Sequence, residues 1–134
     1  MKKNIFLPIM KNRTIPNLIS ELRPNEIFVF GSNLEGMHGG GAAAVAYKKW
    51  GAVWGQGVGL QGQTYGIPRV EVIRPYVDEF IRFAEENRDK VFLVTEIGCG
   101  IAGFKVSEIA PLFKGAIAVE NIHLPERFWD ELSV

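Results

Sequence analysis

A chain of 134 residues, 47% hydrophobic and 22% charged, suits a single domain built around one core. Its fifteen basic and fifteen acidic side chains cancel, which argues against non-specific nucleic-acid binding, because that needs a field of uncompensated Lys and Arg. The single cysteine, Cys99, excludes an intramolecular disulfide framework and fits a reducing compartment.

The N-terminus opens with Lys2 and Lys3, but Pro8 and Lys11 interrupt its apolar stretch, which argues against a signal peptide. No run approaches the roughly 20 apolar residues of a membrane span. The expectation is a cytoplasmic protein with no membrane partner.

In chain order, Ile27-Phe28-Val29-Phe30 is short, aromatic and β-branched, and it runs into Gly31-Ser32-Asn33, as a buried strand ending in a loop does. Residues 42–50, AAAVAYKKW, are rich in helix formers and follow Gly39-Gly40-Gly41, so a helix is expected there, ending near Gly51. Residues 54–66 are studded with glycine and with Gln56, Gln61 and Gln63. They read either as a substrate-covering loop or as an elaborated turn. Thr64 to Pro68 is a short strand stopped by its proline.

Pro75 suits a first helical position, and Tyr76, Phe80, Phe83 and Ala84 recur at helical spacing behind it, with Val77 adjacent. Val91 to Thr95 is the clearest strand. A helix is expected over 107–113, a strand over 116–122 and a short helix over 125–132. This alternation of strands and helices predicts one α/β domain, three-layered α/β/α, with a central mixed and largely parallel sheet.

Glycine is placed unevenly: eleven of the fifteen lie between Gly31 and Gly66, and Gly98, Gly100 and Gly103 follow as a second cluster. Clusters suit loops that need positive φ or close backbone approach. The first loop, residues 31–41, joins a strand to a helix. Its triplet Gly39-Gly40-Gly41 presents backbone N–H groups with no side chain in the way, and the helix N-terminus adds partial positive charge for a phosphate. Asn33 offers an amide suited to a sugar hydroxyl. The second loop, Ile97-Gly98-Cys99-Gly100-Ile101-Ala102-Gly103-Phe104, repeats the logic, with Phe104 available to a ribose or base. Both loops should lie outside the carboxyl ends of the strands, where open α/β sheets bind ligands. The alternative is that these glycines only make tight turns and close helix–sheet packing. Neither GxGxxG nor a P-loop is present.

Together the loops resemble the macrodomain family, whose members carry an Asn at a strand end, a glycine triplet opening a helix, and a later G-x-G-[IV]-x-G-[FY] loop. Here these are Asn33, Gly39-Gly40-Gly41 and Gly98 to Phe104. Lys48-Lys49-Trp50-Gly51 and Ile97 to Gly100 also resemble the branch that removes ADP-ribose from acidic side chains. The resemblance covers roughly Ile27 to Ile122 and makes the chain similar to a small, divergent member of bacterial or phage type.

It implies a small-molecule nucleotide ligand such as ADP-ribose, with no cofactor. The ligand would be held by Gly31, Ser32, Asn33, Gly39, Gly40, Gly41, Ala42, Arg69, Gly98, Cys99, Gly100, Ile101, Ala102, Gly103 and Phe104. The departures are specific. Residues 1–26 lack the family's early Gly-Asp segment, Ala42 and Ala43 stand where many hydrolytic members place an Asp, and Arg69 and Ala102 replace the branch's catalytic Lys and Asp. Arginine stays protonated and is no nucleophile.

His38 is a candidate base or phosphate partner in the first loop, or a turn histidine facing solvent. Glu35 would orient a water with it, or be a solvated loop carboxylate. Glu96, at a strand end, is a further candidate for that role. Arg69 would clamp a phosphate. Cys99 is a nucleophile or a small buried hydrophobe, Lys48 and Lys49 read as a solvated helix face, and His123 as structural. Two histidines and one cysteine, widely separated, offer no zinc site. Three functions follow: an enzyme hydrolysing an ADP-ribose conjugate or related NAD-derived nucleotide, a non-catalytic module that reads or sequesters such a ligand, and an assembly domain whose glycines are architectural. The oligomeric state is not legible in the sequence.

Overall fold

The computed structural model describes residues 11–16, 18–98 and 103–133, so Cys99, Gly100, Ile101 and Ala102 lie outside the described residues. The fold is built around the strand β2 (Glu26–Ser32). On one side β2 pairs in parallel with β4 (Thr64–Pro68), on the other with β5 (Val91–Val94). Beyond β5 the sheet continues through β6 (Ile122–Pro125) to β1 (Thr14–Ile15), again in parallel. β3 (Gly59–Gln61) closes the opposite edge antiparallel to β4, giving the order β1-β6-β5-β2-β4-β3. The sheet is therefore mixed and mostly parallel, as the alternation of elements predicts.

Side chains along β2 alternate between two cores, as strand geometry requires. Ile27 and Val29 enter the larger one, with Tyr65, Ile67, Phe92, Val94, Ile122 and Leu124 from the neighbouring strands. It is covered by α2 (Arg74–Glu85), α3 (Val106–Ile109), a 3-10 run (Ala110–Ala118) and α4 (Glu126–Leu132). Phe28 and Phe30 enter the smaller core against Ala43 and Ala46 of α1 (Gly41–Lys49) and against Ala52. Helices on both faces make three layers.

The stripe that α2 buries is Val77, Phe80, Ile81 and Ala84, the i, i+3, i+4 and i+7 positions of one face. Tyr76 and Phe83 flank it, partly buried, so the predicted face is rotated by about a residue. Phe80 meets Tyr65, Phe92 and Phe113 edge to face, at ring centroid distances of 5.1, 5.6 and 6.4 Å.

Two expectations at the C-terminal end change. The helix expected over 107–113 is α-helical only from Val106 to Ile109 and continues as the 3-10 run, with Pro111 removing a donor from its start. Lys105 is its N-cap, and the Glu108 carboxylate accepts the Lys105 N–H at 2.8 Å. The strand expected over 116–122 does not form: the 3-10 run occupies 110–118 and β6 starts at Ile122. A short apolar run does not distinguish strand from buried helix, and what decides here is a distant partner.

That partner is Arg13. Its Nη2 donates to the carbonyls of Ala116, Val119 and Ile122 at 2.9, 2.8 and 2.9 Å, and Nη1 donates to Ile117 at 3.0 Å. The guanidinium lies 5.1 Å from the Trp129 ring centroid, and the Trp129 indole N–H donates back to the Arg13 carbonyl at 3.0 Å. A cation thus gathers carbonyls at the C-terminal end of the 3-10 run, where those of Ala116 and Val119 also accept the backbone N–H groups of Val119 and Ile122. Burial pushes the Arg13 pKa down, partly offset by Glu120. Burial, and secondarily Arg13, also push His123 down from the usual imidazole value, with Glu26 opposing.

Arg13→Met keeps the apolar stem and removes the donors. It is expected to cost about 2–3 kcal/mol of unfolding free energy, the scale of losing charge-assisted bonds at a part-buried site. Chemical denaturation measures this, and a loss below about 0.5 kcal/mol would mean that water replaces the guanidinium without penalty.

Candidate functional site

Where β2, β4, β5 and β6 end, their carboxyl termini open into a cleft of about 980 Å³. Gly31, Arg69, residues 95–98 and residues 125–127 form its floor and one wall; Gly40, Gly41 and Ala42 at the start of α1 form another. The cleft also runs back along the sheet, because Phe28 lies three residues before Gly31 on β2, and Val45 and Lys49 lie further down α1. Ile15, Leu18 and Ile19 face them, giving that stretch an apolar lining.

Among the described residues no side chain caps the N-terminus of α1, and its first turn carries no acidic residue. Its N–H groups are the unsatisfied donors that every helix start leaves. Gly41 takes φ 58°, a conformation that disfavours other residues. At Gly40 a Cβ would meet nothing within 4 Å, so the backbone stands open to the cleft. Gly39, beside it, is exposed without lining the cleft.

Arg69 crosses the floor. Its backbone N–H and its Nε both donate to the Ser32 carbonyl, at 2.9 and 3.1 Å. Among the described residues no carboxylate pairs with its guanidinium. Gly31 makes room for it: a Cβ there would sit 2.8 Å from Arg69 Cδ and 3.0 Å from Cγ.

Glu96 leaves the end of β5 and is gripped by Arg127 of α4, whose Nε donates to Oε2 at 2.8 Å and Nη2 to Oε1 at 2.5 Å. Thr95 beside it is turned inward, its hydroxyl donating to the Val29 carbonyl at 2.8 Å. Gly98 takes φ 76°, and a Cβ there would strike the Phe104 ring at 2.8 Å. The Phe104 N–H closes the second loop on the Gly98 carbonyl at 3.0 Å.

Several predicted residues are placed differently. His38 is 1% exposed and outside the cleft lining, buried against Phe30, Tyr47 and Trp54. Its Nε2 lies 2.8 Å from the Val53 carbonyl and 3.3 Å from Gln61 Oε1, which already accepts the Val53 N–H. Both neighbours are acceptors, so the proton sits on Nε2, while Nδ1 has no hydrogen-bond partner among the described residues. His38 is thus a core histidine on the flank of α1 that carries Tyr47, whereas Val45 and Lys49 face the cleft.

Glu35 is an exposed loop residue outside the cleft lining. Asn33 staples its own loop: its Oδ1 accepts the Met37 N–H at 2.8 Å and its Nδ2 donates to the Met37 carbonyl at 3.0 Å. The buried Ser32 hydroxyl donates to the Gly57 carbonyl. Phe104 packs on the larger core, and neither it nor Gly103 lines the cleft.

None of residues 54–66 lines the cleft. They lie against the first loop, with the Gly55 N–H on the Gly36 carbonyl at 2.9 Å, and end in the β3–β4 pairing. At Gly57 a Cβ would come within 2.0 Å of the Asn33 carbonyl oxygen, so the two segments touch backbone to backbone.

Sequence reading missed Lys49, Arg127, Ile15, Pro16, Leu18, Ile19 and Ser20 as cleft residues. Lys49 looks like a solvated lysine but donates Nζ to the Ser20 carbonyl at 3.0 Å, tying that segment to α1. Arg127 carries no local signal, since Glu96 lies 31 positions away. Among the described residues no group of His, Cys, Asp and Glu side chains is arranged to hold a metal ion, and no helix is long and apolar enough to cross a membrane. No family model matches the chain, and neither a curated protein nor a solved structure is found similar to it.

Gly31→Ala is expected to leave the fold intact and push the Arg69 stem off the strand end, since the clashing atoms belong to a flexible side chain. Nuclear magnetic resonance of the arginine Nε protons checks this. Arg69 should lose its slowed exchange in the variant, and an unchanged Nε–H signal would show that Gly31 does not seat it.

Proposed function

We propose that this cleft binds ADP-ribose or a related NAD-derived nucleotide, as a non-catalytic reader or sequestering module. The observation that supports the reading most is the convergence on one opening of the start of α1, which among the described residues has no side-chain cap and no acid in its first turn, and the guanidinium of Arg69, which no described carboxylate pairs. Backbone N–H groups at a helix start and a planar guanidinium are both anion receptors, and together they suit a diphosphate. The apolar stretch past Phe28 and Val45 provides a surface for a base. A volume of about 980 Å³ is at the large end of small-molecule pockets, room for a whole dinucleotide-sized ligand. The macrodomain-like order of Asn33, the glycine triplet and the second glycine loop points to the same ligand class. The lone Cys99 suits a cytoplasmic setting, where such nucleotides are handled.

The positions of the polar side chains favour binding over turnover. Of the three residues suited to orient a water, His38 and Glu35 stand outside the cleft and Glu96 is engaged by Arg127. Hydrolysis of an ADP-ribose conjugate is the second reading, and it rests on Glu96 lining the cleft.

Calorimetric titration with ADP-ribose, AMP, NAD and ribose 5-phosphate tests the proposal. ADP-ribose should bind in the micromolar range. Gly40→Glu, which meets no steric obstacle but sets a negative charge at the start of α1, should weaken it by about tenfold or more, as should Arg69→Ala. No heat with any of the four ligands would sink the assignment. Release of product from an ADP-ribose conjugate, lost in Glu96→Ala, would move the protein to the second reading.

A further inference from the structure

Nine large apolar side chains are exposed among the described residues, and six of them are joined by contacts outside the cleft: Leu34, Met37, Tyr47, Val53, Trp54 and Leu60, each between 39% and 57% exposed. Tyr47 meets Trp54 at 5.4 Å between ring centroids, and both rest on the buried His38 ring, at 6.4 and 6.2 Å. Met37 precedes His38 in the chain, and Val53 precedes Trp54. The bond from the Gly55 N–H to the Gly36 carbonyl holds the two segments together, and a Cβ at Gly57 would lie 2.8 Å from the Leu34 carbonyl oxygen. Gln56 Nε2 donates to the carbonyls of Val58 and Leu60 at 3.2 and 3.0 Å, which ties β3 to the same surface.

Contiguous exposed apolar surface of this kind marks an interaction site, and Trp, Tyr and Met are the residue types that anchor interfaces. Charge decides the occupant. Residues 51–68 contain no charged side chain, and the charged neighbours of the other positions are one exposed acid, Glu35, and one exposed base, Lys48. A partner of either net charge finds little here to select it, since specificity between different proteins leans on complementary charge. A second copy needs none: it brings the same apolar face, and it offers a Lys48 for each Glu35. Twofold dimers are the commonest assemblies of soluble chains, and their interfaces are the more apolar ones. Residues 33–38, 47 and 51–62 amount to about twenty, the lower end of what one side of a standard interface uses. β3 is the edge strand, but Gln56 already holds its Leu60 carbonyl, so the contact joins side-chain faces and adds no strand to the sheet.

We propose that this face is the twofold interface of a homodimer in solution, with Tyr47 and Trp54 as its anchors. Their rings are ordered beforehand on His38, so association immobilises little that is free in the single chain. None of the six residues lines the cleft, so both copies keep it open. The proposal stands independently of the nucleotide reading.

The test is sedimentation velocity of the full chain over about a hundredfold range of concentration, since the mass of a reversible dimer follows mass action. The mass of the wild type should rise from 14.9 kDa towards twice that value. Trp54→Glu and Met37→Glu each enter a twofold interface twice, and each should weaken association by at least about thirtyfold, the loss expected at an interface anchor. Circular dichroism checks that the variants fold. Met37→Glu, at the most exposed of the six positions, carries the test if Trp54→Glu disturbs the packing on His38. A wild type that stays at 14.9 kDa throughout would overturn the proposal and leave the surface to a different protein or to another segment of the same chain. A dimer that persists unchanged in the folded variants would overturn it too, because another face would then be the interface.

Discussion

Parallel pairing on both edges of β2 places three strand ends in one row. Gly31 is in register with Ile67 on one side, and Val29 with Val94 on the other, so the exits of β2, β4 and β5 emerge together. Parallel neighbours cannot be joined by tight turns; each return crosses a face of the sheet, here by α1, α2 and the later helices. Everything on the carboxyl edge follows. Arg69 reaches the Ser32 carbonyl because β4 ends beside β2, and Glu96 looks into the same opening because β5 ends on the far side. Residues more than thirty positions apart become neighbours through one strand's hydrogen bonds.

α1 then divides the surroundings of that edge. Ala43 and Ala46 seat it on Phe28 and Phe30, and their small size brings its backbone close to the sheet. Its two flanks do different work. Val45 and Lys49 border the cleft, while Tyr47 meets Trp54 at 5.4 Å and joins the aromatic surround of His38. The histidine that looked most like a catalytic group therefore belongs to the packing of the first loop against residues 53–61. Its ring nitrogen and Gln61 satisfy buried polar groups at Val53, which a solvent-facing turn histidine would leave to water.

Much of the fold was legible because its periodicity is local. The β2 and β5 runs, α1 after the glycine triplet, and α2 behind Pro75 are written in residues that sit next to one another. What escaped is held by distant partners. β1 is two residues long and is fixed by β6 and by Arg13, whose carbonyl partners lie more than a hundred positions away. β3 carries two glycine-flanked residues with no alternation, and its pairing with β4 is set by the turn at Gly62. Over 116–122, where a strand was expected, the carbonyls of Ala116, Ile117, Val119 and Ile122 serve a guanidinium. The site divides in the same way. Backbone features such as Gly41 and Gly98 could be read from glycine spacing, since both take a positive φ that other residues rarely adopt. Side-chain roles could not. Asn33 turned to its own loop, Ser32 to the Gly57 carbonyl, and Arg127 came to Glu96 from another element.

The central claim is that an anion-bearing nucleotide sits between the start of α1 and Arg69. Amide and side-chain resonance mapping on addition of ADP-ribose tests it most directly. The account predicts saturable shifts concentrated at the amides of Gly40, Gly41 and Ala42, the Arg69 Nε proton and the amides of residues 95–98, with the His38, Tyr47 and Trp54 signals unmoved. Shifts confined to the aromatic flank, or none at ligand concentrations that saturate a micromolar site, would contradict it.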